Sequence, residues 1–161
     1  MKTFYLLLFS LIMSQISAQD TATTTIYFIR HCEKADAFKN PDLSEAGKIR
    51  AQKWATHFEK TPIDIFYTSL YKRTQQTCTT VATSQGKEIL YYKPETLDLK
   101  KIVQENPGKT ILFVGHTNTI PKNINAFLGQ QAYLDIDDSV YGNLYTIKIS
   151  GQTVTHEVAT P

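Results

Sequence analysis

The sequence predicts an α/β fold: a three-layer sandwich with a mostly parallel central sheet and an antiparallel C-terminal hairpin. Three observations lead there. Apolar, β-branched runs of strand length alternate with segments of helical period. The early runs are apolar on both faces, as strands covered by helices on either side must be. The last two runs, "LYTIKIS" and "TVTHEVA", follow each other directly across Ser150-Gly151, which leaves room only for a hairpin.

In chain order, residues 24–29 are β-branched and aromatic and form the first strand, followed by a polar, Pro-containing loop, "KADAFKNPD". Ser44 is the expected N-cap of a helix that places Ile49, Ala51, Trp54, Ala55 and Phe58 near one face, and Pro62 marks its end. "IDIFYTS" is the second strand, and residues 70–85 form the second helix, stopped by Gly86. "EILYY" is a short third strand closed by Pro94. A short helix over residues 97–105 turns Leu97, Ile102 and Val103 inward before the turn "NPGK". "TILFVGH", the most apolar strand, runs into a helix over residues 121–128 with Pro121 in its first turn; residues 130–143 read as loop.

With 161 residues the chain suits one domain with a sizeable core. Residues 1–18 read as a cleavable leader: Lys2 precedes an apolar stretch from Phe4 to Met13, too short to span a bilayer, and cleavage is expected after Ala18. The domain then occupies residues 19–161, 143 residues (161 − 18), and works outside the cytoplasm, in the periplasm or the medium. No stable membrane insertion is expected once the leader is gone.

Without Lys2, 16 basic side chains face 15 acidic ones, from totals of 17 and 15. Such a balance makes no electrostatic case for binding nucleic acid. Among the basic residues only Arg30, Arg50 and Arg73 are arginines. The guanidinium fork grips phosphate in a way the lysine ammonium does not, so an arginine beside a histidine is informative. The two cysteines, Cys32 and Cys78, are expected to be buried thiols; a disulfide between them is the alternative.

Chemistry-bearing residues collect where strands end. The first strand ends in Arg30-His31, the second in Thr68-Ser69 with Arg73 four residues on, the fourth in Gly115-His116-Thr117-Asn118. Ligands of parallel sheets bind beyond the carboxyl ends of the strands, so one pocket should receive two histidines and two arginines. That set suits phosphoryl transfer: guanidinium forks neutralise the phosphoryl oxygens, one imidazole attacks phosphorus and the other donates hydrogen bonds. No cofactor is then required. A metal site built from His31, Cys32, Glu33 and His116 is the competing arrangement; strand alternation turns His31 and Cys32 to opposite faces and argues against it.

The segments "RHCEK", "LSEAGKIRAQ", "YTSLYKRTQQT" and "VGHTNTIP" together resemble, in order and spacing, the histidine phosphatase superfamily, phosphoglycerate-mutase-like branch. The resemblance runs from Thr24 to about Leu128 and implies a short, single-domain member. It implies that His31 is the nucleophile and becomes phosphorylated, and that Arg30, Arg73 and His116 bind the phosphoryl group, with Asn118 as a further donor. A small phosphorylated substrate and a metal-independent phosphatase follow from the same likeness; a non-catalytic phosphate- or anion-binding module on this fold is the alternative. Cys32 stands where the family has glycine. The general acid is open: Glu95 and Asp98 are both candidates, with Glu33 a third, and short members that lack the acid need substrates with a good leaving group. Arg50, His57 and His156 are assigned to surface or packing, and Tyr91 and Tyr92 to core near the pocket mouth.

Overall fold

The computed structural model describes residues 22–161. The leader assigned to residues 1–18 lies outside the described residues. Six strands form one sheet in the order β3-β2-β4-β1-β5-β6. Strands β1 (Thr24–Arg30), β2 (Ile65–Thr68), β3 (Ile89–Tyr91) and β4 (Thr110–Gly115) run parallel, and β5 (Leu144–Ser150) and β6 (Thr153–Ala159) close the β1 side as an antiparallel hairpin.

Period-two alternation divides the sheet's side chains between two cores. Ile29, Phe66, Leu112 and Val114 face α1 (Glu45–Phe58) and α2 (Lys72–Ser84), where they meet Ala51, Trp54, Phe58, Cys78 and Val81. Ile26, Phe28, Ile111 and Phe113 face the other way, toward Leu99 of α3 (Leu99–Glu105) and Ile120 and Ile124 of α4 (Thr119–Leu128). The three layers are therefore those expected, with β1 doubly covered and flanked by β4 and β5.

Two local expectations change. The buried stripe of α1 is Gly47, Ala51, Trp54, Ala55 and Phe58, while Ile49 is 61% exposed. Gly47 takes the stripe's first place because α1 crosses the chain just after β1: a Cβ there would stand 2.3 Å from the Glu33 carbonyl oxygen. Two residues further on, the side chain points to the opposite side of the helix. Helix α4 begins at Thr119, two residues before Pro121, so the proline occupies its third position. Ser44 caps α1 as expected, its hydroxyl accepting from the Gly47 N–H.

Strands β2, β4 and β1 are neighbours and parallel, so their carboxyl ends lie side by side. The backbone continues that pairing one step beyond β1, where the His31 N–H donates to the Gly115 carbonyl at 2.9 Å. The reactive residues named above are carried by these three ends. No helix among the described residues is long and apolar enough to cross a membrane.

Candidate active site

Arg30, His31, Arg73, His116, Asn118 and Glu95 line one cavity of about 250 Å3, together with Lys34, Tyr71, Thr117, Thr119 and Asp138. The floor is made of buried side chains: Arg30 and His31 are 2% and 4% exposed, His116 8%.

The histidine tautomers follow from their partners. His31 Nδ1 lies 2.7 Å from the Cys32 carbonyl. A carbonyl can only accept, so neutral His31 carries its proton on Nδ1 and keeps the lone pair on Nε2. His116 is the reverse. Its Nδ1 accepts from Arg73 Nη2 at 3.4 Å, so Nε2 carries the hydrogen and donates to Ser69 Oγ at 2.9 Å. The Ser69 hydroxyl passes its own hydrogen to Thr74 Oγ1 at 2.8 Å, and Thr74 donates to the Ser69 and Tyr71 carbonyls. The relay is complete and anchors His116 to the turn between β2 and α2.

Both imidazoles are neutral in the free protein. Burial, aided by His116 and the two guanidiniums, pushes His31 from 6.5 down to about 3. Burial beside Arg73 and Arg30 pushes His116 down to about 4. An anion between the arginines would oppose both effects.

The arginines are held differently. Arg30 Nη1 donates to the carbonyls of Asp137, Asp138 and Val140 at 3.1, 3.0 and 2.8 Å, its Nη2 reaches Asp138 Oδ1 at 3.3 Å, and its plane lies 4.0 Å from the Tyr141 ring. Arg73 packs 4.6 Å from the Tyr71 ring. Arg30 Nε, Arg73 Nε and Arg73 Nη1 are buried without a protein hydrogen-bond partner. A buried donor without an acceptor is costly, and an arrangement that gathers three beside two neutral imidazoles is matched to a ligand with several acceptor oxygens.

Cys32 turns away from the pocket into the core beneath α1 and α2, and its N–H donates to Thr77 Oγ1 at 3.0 Å. Thr77 in turn donates to the Arg73 carbonyl at 2.8 Å, tying the end of β1 to the arginine helix. Both cysteines are free thiols, and burial pushes each up to about 12. With Cys32 and His31 on opposite faces, the metal arrangement of His31, Cys32, Glu33 and His116 does not form.

The carboxylate candidates separate. Glu95 lines the pocket. Asp98 does not: it is the N-cap of α3, its carboxylate accepting from the Lys101 N–H at 3.1 Å, so it is removed as an acid candidate. Glu33 accepts from Arg50 Nε at 2.7 Å, which places it in an ion pair below α1. Asn118 sits at the N-cap of α4 without a capping bond and lines the pocket. Tyr92 is core, its hydroxyl donating to the Val114 carbonyl; Tyr91 is exposed. The sequence reading missed Lys34, Tyr71, Asp138 and Tyr141. Tyr71 directly precedes the arginine turn and was findable there, whereas Asp138 and Tyr141 lie in the segment read only as loop.

The model of the histidine phosphatase superfamily (branch 1) matches residues 26–94. Among solved structures, SixA of Agrobacterium tumefaciens is 19% identical with a TM-score of 0.63, covering 85% of this chain and 98% of its own. A protein histidine phosphatase SixA complexed with tungstate is 14% identical with a TM-score of 0.68, covering 85% and 97%. Phosphoserine phosphatase of Entamoeba histolytica, in complex with phosphoserine, is 17% identical with a TM-score of 0.65, covering 83% and 94%. No curated protein sequence matches. Residues 26–94 thus match the model of that superfamily, and the fold is the one these phosphatase structures share.

Proposed function

We propose that this protein is a metal-independent phosphohydrolase that removes the phosphoryl group from a small phosphoester or phosphohistidine-like substrate through a phosphohistidine on His31. The observation that carries the reading is the trio of buried, unpartnered guanidinium N–H groups on Arg30 and Arg73, in one pocket with an imidazole whose Nε2 lone pair is free.

In the first step the His31 Nε2 lone pair forms a bond to phosphorus while the bond from phosphorus to the leaving oxygen breaks. The Nδ1–H bond to the Cys32 carbonyl holds the ring's orientation and stabilises the positive charge it gains. Arg30 and Arg73 surround the equatorial oxygens and supply the charge that phosphoryl transfer requires, while neutral His116, its N–H on Ser69, holds Arg73 through Nδ1. Glu95 is the pocket carboxyl assigned to give its proton to the leaving oxygen; as carboxylate it then takes a proton from the water that attacks phosphorus, and the N–P bond breaks. Asn118 supplies a further donor at the start of α4.

Turnover of an aryl phosphate by the wild type, lost by at least about a thousandfold in His31→Ala, is the deciding assay. Phosphate binding without turnover of any phosphoester or of phosphohistidine would instead establish the anion-binding module. Glu95→Gln should lose activity on alkyl phosphates far more than on aryl ones; equal losses on both would remove Glu95 as the acid. Export rests on the leader pattern from Lys2 to Ala18. A mature protein whose mass includes residues 1–18 would refute that part.

A further inference from the structure

We infer that Asp138 is a specificity-determining carboxylate: it contacts Arg30 Nη2 at the pocket wall and disfavours substrates with a second negative charge beside the phosphoryl group. This rests on the phosphohydrolase reading above.

Arg30 cannot swing to meet a ligand. Nη1 is fully engaged by the carbonyls of Asp137, Asp138 and Val140, and the Tyr141 ring covers the guanidinium plane. The remaining donors lie along one edge, Nε and Nη2. This side-on pair suits two oxygens of a phosphoryl group. Nε has no protein partner, whereas Nη2 is met by Asp138 Oδ1 at 3.3 Å.

The contact is easily surrendered. At 3.3 Å it is longer than the roughly 2.7–2.9 Å of a strong charge-assisted hydrogen bond, and the Asp138 side chain is 93% exposed. A phosphoryl group that takes both donors of the edge competes with Oδ1 for Nη2. The backbone of Asp138 stays, because its carbonyl remains bonded to Arg30 Nη1. The carboxylate is therefore retained at the pocket wall, next to whatever the phosphoryl group is attached to. Two other charged rim groups line the same cavity, Lys34 and Glu95. With Glu95 assigned to proton transfer, Asp138 is the carboxylate left to act on the substrate's own charge. For unit charges about 7 Å apart, in a medium between bulk water and the protein surface, the effect on each charged substrate is roughly three- to tenfold.

The test compares Asp138→Asn with wild type on two alkyl phosphates of like leaving group, phosphoethanolamine, which carries an ammonium, and 2-phosphoglycolate, which carries a carboxylate. The expected result is that the ratio of kcat/KM values, phosphoethanolamine over phosphoglycolate, falls roughly ten- to a hundredfold in the variant, because the lost attraction and the lost repulsion multiply. Inorganic phosphate should also inhibit the variant at lower concentration. An unchanged ratio overturns the inference. So does a loss on both alkyl phosphates with aryl phosphate turnover retained, which would make Asp138 a proton donor. If the protein binds phosphate without turning anything over, the same ratio read from dissociation constants decides the matter. A wild type that binds no phosphate at all would defeat the phosphohydrolase reading and this inference together.

Discussion

Lowering the pH from 7 to 5 should destabilise this protein through its two pocket histidines, before most carboxylates titrate. His31 and His116 are pushed from 6.5 down to about 3 and about 4. Their folded values lie below their unfolded ones, so between those limits the unfolded chain binds more protons than the folded one. The stability they permit is present above 6.5 and is lost as pH falls toward 4 and then 3. At pH 5 an imidazole of ordinary pKa in the unfolded chain gains about 2 kcal/mol by protonation, which the folded state cannot match, so the pair costs about 4 kcal/mol. That is a large part of a typical domain's roughly 5–15 kcal/mol. Urea unfolding of the protein at pH 7 and pH 5 measures the loss directly. His31→Asn and His116→Gln should each remove about half of it, and saturating inorganic phosphate, which brings negative charge between Arg30 and Arg73, should reduce it. An unfolding free energy that changes by less than about 1 kcal/mol between the two pH values would refute the claim that both rings are buried and neutral.

Two further outcomes concern the scaffold. Gly47→Ala should destabilise by about 3 kcal/mol or more in chemical denaturation, since its Cβ would meet the Glu33 carbonyl oxygen at 2.3 Å and neither backbone can yield cheaply; a loss under about 1 kcal/mol would show that α1 moves freely over the segment after β1. Thr77→Val should cost about 1–3 kcal/mol by leaving the Cys32 N–H unpaired, and should lower kcat/KM as the end of β1 loses its tie to Arg73; full activity in the variant would show that this tie does not position His31.

Much of this was legible in the sequence because its signals are local or recur at fixed spacing. The alternation in β1 and β4, the Ser44 cap and the placement of Arg30, His31, Arg73 and His116 at strand ends needed only the rule that parallel strands gather their carboxyl ends. The exposed Ile49 was misjudged because a glycine, with no apolar side chain, marks a buried stripe invisibly. Asp98 and Glu95 lie three residues apart, and nothing in their spacing said which would cap a helix and which would face the pocket. The wall formed by Asp137, Asp138, Val140 and Tyr141 meets Arg30 across more than a hundred residues of chain. Its backbone carbonyls do most of the holding, and carbonyls leave no mark in a sequence.

The relay from His116 through Ser69 to Thr74 also fixes where acidity can come from. His31 has committed its N–H to the Cys32 carbonyl, and His116 has committed its N–H to Ser69. Neither ring has a proton to spare for a departing alcohol. For any phosphoryl transfer at His31, the supply must therefore be drawn from the rim or from bulk solvent. The floor decides whether phosphate is held; the rim decides how basic a leaving group the reaction can tolerate. Changes at the mouth of the pocket can thus widen or narrow the range of esters cleaved while the phosphate-binding floor stays the same.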